Sequence, residues 1–451
     1  ANTNNLLVKA DDGFTYYIGK KDRTAVIETD TDFGTSTFII DDTSVQNHNA
    51  PIFRVRSRMK PFKLKSIASL KMNQEKIEVS LPGTCLIKVT NSNVKHFRRL
   101  GVNQNNGFSQ IEIFMTDKNG KVSFDTPIQW DFDQITDIMV LPVDEKTLNI
   151  TGGRFTTIAN KAESKHAYFG RNIEIRRSNV LVNEMEHYIT GEGSHSAPYR
   201  GFLNIANCAN ITVKNSVFTG HRTYHILGKA GKEKSRGNYD LSLDYALNVS
   251  FVNCNQTNDI NDKTFWGIMV SNYCKNISYD KCTFSRFDAH KGVTNITIRN
   301  STLGYMGISA IGKGTLLVEN STIQGRSFIK LRPDFGSTWQ GKIIIRNCIF
   351  VPLGIKSNNV GLINGYYSGK HNFGYTCYMP EHINIENLQI KFHKKYTRVL
   401  DSSEGTEHAR WLKGAQLNIV DKRDKDEIAK ELVDKMSDIE DRLKAIRAQQ
   451  P

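Results

Sequence analysis

A chain of 451 residues, 39% hydrophobic and 24% charged, can bury a large core and hold two or three domains. It has no run of 18 apolar residues, which excludes a helical membrane span, and a net charge of +14 favours a polyanionic partner. An acidic polysaccharide or a teichoic acid ranks above nucleic acid, because no arginine-rich arm, zinc-finger spacing or RNA-binding aromatic motif is present.

Residues 1–6 lack the basic start and apolar stretch of a signal peptide. Either a signal is removed before residue 1 or the protein leaves its cell by another route, such as host lysis. Residues 1–140 read as a β-rich N-terminal domain. Segments 38–42, 52–56, 77–81, 85–89 and 111–114 alternate with period two, between turns at 47–51, 82–83, 103–107 and 119–120. Arg54, Arg56, Arg58, Lys60, Lys63, Lys65 and Lys71 make one stretch basic, which we read as solvated strand faces rather than an anion patch. The seven cysteines are odd in number and contain no CxxC, which argues against zinc or a disulfide framework. No motif encodes a metal site, and calcium stays open as a cofactor.

From residue 148 a repeat takes over. Its form is Asn-Ile-x-h-x-Asn-Ser/Cys, with h apolar, and its markers are Ser178, Ser216, Cys254, Cys282, Ser301, Ser321 and Cys348, with Leu388 in a later copy. Steps of 19 and 20 residues (282 to 301, 301 to 321) are the signature of a solenoid with short strands in stacked coils. Steps of 38 (178 to 216, 216 to 254) mean either long loops leaving the stack or one missed coil in each. The Ser/Cys positions are expected to be small, buried and stacked. The repeated Asn suits a corner with left-handed backbone angles, its amide bonding to the next coil's backbone. The solenoid is expected over 148–395, with a linker or cap region at 396–423. In 424–447, Ile428, Leu432, Met436, Ile439, Leu443 and Ile446 step by 3 or 4, an amphipathic helix that either caps the stack or joins chains, preferably as a trimer.

Aligning each coil's later strand on the marker puts Tyr224, Ile226, Ile268, Val270, Phe287, Ala289, Ile329 and Leu331 inward. His225, Asp288, His290, Lys330 and Arg332 then share an external face, with Ser309 between. Asp288 offers a carboxylate acid or base, and His225 and His290 can move protons near neutral pH. Lys330 and Arg332 can hold a carboxylate or phosphate. His221, Arg222 and Asp244 are placed in the same groove, with Trp266 and Tyr305 to stack on sugar rings. Glu192 and His195, in a glycine-rich loop, rank second.

At these repeats the sequence resembles right-handed parallel β-helix proteins of the pectate-lyase-like superfamily. The whole arrangement looks most like phage or prophage tail-associated proteins. The resemblance implies an all-β, single-stranded β-helix, extracellular or on the virion, that binds and depolymerises a bacterial surface glycan or teichoic acid, commonly as a trimer. A non-catalytic receptor-binding tail protein and a secreted bacterial polysaccharide lyase are the alternatives. A lyase would use His290 or His225 as base and Lys330 or Arg332 to neutralise the uronate carboxylate. A hydrolase would need two carboxylates about 5–10 Å apart, for which Asp288 and Asp244 are the pair to test.

Overall fold

The structure is a computed structural model that describes residues 5–19, 21, 23–101, 103–163, 168–223, 238–265, 269–354, 360–365, 371–391, 397–402 and 416–420. Each coil lays one strand in each of three parallel sheets. In the first sheet the register runs Leu148–Val180–Ile211–Val249–Ile277–Ile296–Leu316–Ile343–Ile383, one aliphatic side chain per coil on the same inward position. All are buried in one continuous core. This is the expected parallel β-helix, held by the burial of β-branched and leucine side chains that no single coil can hide alone.

The corners follow from the repeated asparagines. Asn210, Asn248, Asn276 and Asn295 have φ between 55° and 60°, and each donates its side-chain amide to the asparagine one coil below (2.8–3.0 Å). A second ladder joins Asn253 to Asn215 and Asn387 to Asn347. The bonds mostly run amide to amide, and the expected bond to the next coil's backbone occurs at Asn295, whose Oδ1 accepts the Thr315 N–H at 2.9 Å. The stack repeats the same side chain at the same height, so each amide finds an identical partner. The Ser/Cys markers are buried, and Ser321 Oγ accepts the Ser301 N–H at 3.1 Å.

The steps of 38 residues are single coils: strands Val180–Asn183 and Glu186–Thr190 and residues 203–206 complete one turn before the next marker. The extra residues fall in sequence between the strands of the second and third sheets, after Thr190 and after Phe218.

The stack also begins before residue 148. Strand Thr31–Asp41 pairs in parallel with Leu148–Ile158, and Phe53–Arg56 with Ile173–Arg176. Residues 57–147 are thus an insertion between coils, not a head that precedes them. They form an antiparallel sheet of strands Phe62–Lys63, Asp137–Pro142, Cys85–His96 and Phe108–Thr116 over a separate core that includes Leu70, Phe114 and Phe132. Sequence alternation shows strands in both regions and cannot tell parallel from antiparallel pairing. The insertion docks along the β-helix through Phe97 against Tyr273, and through Lys313 over the Trp130 ring at 3.7 Å. Below these contacts lies the buried pair Lys275–Glu112 at 2.8 Å. The helix expected over 424–447, and the trimer it implies, lie outside the described residues.

Candidate functional site

The third sheet carries the expected row. Asp288 pairs with Ser309, and Ser309 with Lys330, on successive coils, while Phe287, Ala289, Ile329 and Leu331 point into the core. The inward and outward assignment holds for these residues. The exposure does not: Asp288 is fully buried although it points outward. What covers it is a chain of ionic side chains. Asp288 Oδ1 accepts from Arg332 Nη1 (2.8 Å), and Oδ2 lies 2.6 Å from His290 Nε2 and contacts Arg286 Nη2. Arg332 in turn grips Asp334 with Nε (3.2 Å) and Nη2 (2.8 Å), and Asp334 meets Arg99 from the inserted domain at 2.9 Å.

Charge follows from this geometry. Burial raises the Asp288 carboxyl, but Arg286, His290 and Arg332 outweigh it and hold the group well below the ordinary carboxylate range. Burial pushes His290 down to about 4 against the pull of Asp288, with Arg332 adding to the fall. The imidazole is therefore neutral at neutral pH, and Nε2 faces the carboxylate, which favours the tautomer with its proton there and its lone pair on Nδ1. Its side chain keeps 20% exposure, and Lys330 on the same row is exposed. His290 is accordingly expected to stay neutral when pH falls from about 8 to about 5, its ring protons shifting in NMR only near pH 4. A midpoint at the ordinary value of about 6.5 would show that the ring is not held in this network.

The long connections between the second and third sheets build a second cluster. Glu192 Oε1 accepts the Arg222 N–H (2.9 Å) and lies 3.4 Å from His221 Nδ1. Burial raises Glu192, but His221 and Arg222 prevail and lower it. His221 is buried and stacks flat on Tyr199 at 3.7 Å, so it lines no open groove, whereas Arg222 is exposed. Beside it His187 lies between Thr157 Oγ1 (3.0 Å) and Asp240 (2.9 Å). Asp42 pairs with Arg171 at 3.1 Å, its carboxyl pushed up to about 7 by burial against that arginine. Sequence reasoning missed His187, on the strand Glu186–Thr190, and Asp240, Asp42 and Arg171, which sit in connections outside the repeat. The feature that pointed there was the excess length of the coils. Tyr239 links the two clusters: its N–H bonds Tyr199 O at 3.0 Å and its ring lies edge-on to His290, centroids 6.3 Å apart.

Asp244 sits on an earlier coil, in register with Asn272, which donates to it at 2.8 Å. Burial raises its carboxyl. With Asp288 buried and both its oxygens held by cations, Asp288 and Asp244 do not form the two-carboxylate pair a hydrolase needs. Tyr305 takes a hydrogen bond from Arg326 (3.1 Å), and His195 is exposed beside Ser194. His225 and Trp266 lie outside the described residues. Among the described residues no three His, Cys, Asp or Glu side chains are grouped as metal ligands would be.

No family model matches the sequence, and no curated protein matches it. Solved structures similar to it are phage tailspikes at low identity. Gp49 of Pseudomonas phage LKA1 is 12% identical with a TM-score of 0.49, covering 88% of this chain and 69% of that one. Gp61 of Pseudomonas phage phi297 is 11% identical with a TM-score of 0.48, over 90% and 69%. Gp54 of Acinetobacter baumannii bacteriophage AP22, solved in complex with A. baumannii capsular saccharide, is 11% identical with a TM-score of 0.43, over 93% and 70%.

Proposed function

We propose that this chain is a tailspike-like component of a phage tail that binds an acidic bacterial surface polysaccharide on the outward face of the third sheet and cleaves it by β-elimination. The observation that carries the reading is the His290–Asp288 pair with Lys330 on the same row. Asp288 is the orienting group and does not touch substrate: it fixes the His290 tautomer, as a carboxylate does in other histidine bases. Nδ1 then takes the proton from the carbon next to a uronate carboxylate, Lys330 neutralises that carboxylate, and the pair left on carbon forms a double bond as the glycosidic oxygen leaves.

A second reading, binding without cleavage, is favoured by a specific observation. A histidine pushed down to about 4 is a weak base for such a proton. One screen separates the two: purified uronate polysaccharides and teichoic acids, with and without calcium, scored for binding and for product. Cleavage predicts ultraviolet absorbance from an unsaturated sugar, lost in His290→Gln while binding remains. New reducing ends without that absorbance would replace elimination by hydrolysis. Binding with no product supports the adhesin, and no binding to any polymer defeats both.

A further inference from the structure

Before the His290 row, the outward face of the third sheet runs into a groove of about 800 Å³ between that sheet and the inserted domain. Three residues of the stretch read from sequence as solvated strand faces converge here. Arg56, Arg58 and Lys60 line the groove from the chain leaving the β-helix, Arg176 from the adjacent coil, and Lys88 from the inserted strand Cys85–His96. Glu28 and Asp137 are the carboxylates of the lining, so five cations against two leave an excess of three positive charges. Glu28 is taken by Arg56 (2.7 Å) and Arg58 (3.6 Å). Arg176 pairs with Glu174 (2.7 Å), which also holds Arg54 (2.6 Å).

Lys60 and Lys88 have no carboxylate within ion-pair distance among the described residues. Lys88 lies over the Tyr245 ring at 3.4 Å and donates to Asn207 at 3.2 Å. Burial pushes its ammonium down to about 8, a cost that an incoming anion would offset. The floor between the cations is apolar: Ile111, Met139 and Leu141. A neighbouring lobe of about 540 Å³ is charge-balanced by comparison, with Arg177 on Asp144 at 3.2 Å.

We propose that this groove is a subsite for a polyanionic glycan, with carboxylate or phosphate groups on the cations and the carbon faces of the sugars on the apolar floor. The inference rests on the reading of the chain as a glycan-binding protein. Single-stranded nucleic acid fits less well, because it binds on aromatic stacking platforms and no aromatic side chain among the described residues lines the groove. The register Ile175–Ile205–Leu243–Ser271–Ala289 puts the strand of Arg176 four coils from the strand of His290, and a bulge after Ser271 sets Lys291 beside Asn272. Four coil steps are about 19 Å, a span that a short oligosaccharide bridges. A bound chain of that length spans the distance from the groove to the coil that carries His290.

The test compares the full chain with the triple variant Lys60→Gln, Lys88→Gln, Arg176→Gln, using labelled polygalacturonate oligomers (carboxylate) and glycerol-phosphate oligomers (phosphate). Lys60 and Arg176 are exposed, so the double variant without the Lys88 change serves if the triple fails to fold. The expected result is an affinity about tenfold or more lower for the preferred probe, with a shallower dependence on salt. The probe that binds identifies the charged group. A variant that binds as the parent does would overturn the subsite while glycan binding stands. A parent that binds neither oligomer also overturns it, and if the polymer screen is blank too, the parent reading falls with it. Tighter binding of oligothymidylate than of either glycan overturns the glycan assignment.

Discussion

Replacing Asp288 by asparagine is expected to cost about 3–5 kcal/mol of stability, the range for removing one partner of a buried ionic set. The amide keeps the shape and loses the charge. Arg332 retains Asp334, but Arg286, whose side chain is 4% exposed, loses the negative charge of Asp288 beside it. Thermal melts followed by circular dichroism read the effect as a large drop in midpoint. Adding Arg286→Met should recover part of the loss, because it removes a buried cation whose neighbouring carboxylate charge is gone. A D288N melt indistinguishable from the parent would mean that Asp288 is a solvated surface carboxylate. Its candidacy as a direct acid or base would then return.

The second large effect is expected at the junction of the two sheets. Lys275→Met leaves the Glu112 carboxylate buried without its cation and removes the bond from Nζ to Pro127 O at 2.6 Å. Glu112 keeps two backbone donors, the N–H groups of Ile113 (3.1 Å) and Gln129 (2.7 Å). The cost is therefore set at the low end, about 3 kcal/mol. The loss should appear first in the inserted domain, as faster hydrogen exchange and proteolysis within 57–147, with the β-helix strands still protected. Loss of protection spread evenly over both would show that the insertion and the β-helix unfold as one unit.

These two residues also mark how far the sequence carries. Phe287 and Ala289 were legible as inward and Asp288 as outward because alternation along a strand is a property of neighbouring residues. Whether an outward residue meets water depends on what lies over it. The repeat spacing put Arg332 on the face of Asp288, but Arg99 comes from the inserted domain, and no local pattern announces that it converges on Asp334. The Lys275 position was equally silent, since a lysine opening a strand reads as solvated until an inserted domain covers it. The basic run from Arg54 to Lys60 was visible as charge. Its convergence with Arg176 and Lys88 needed the placement of the inserted sheet.

The sequence by itself determined the β-helix. A period near 20, left-handed asparagine corners and small marker residues are each local, and stacking multiplies every local preference by the number of coils. Tertiary structure alone decided that the stack starts before residue 148, that residues 57–147 dock along it, and which side chains on the third sheet stay accessible. Those outcomes depend on charge pairing and covering between segments far apart in the chain, which spacing along the sequence does not encode.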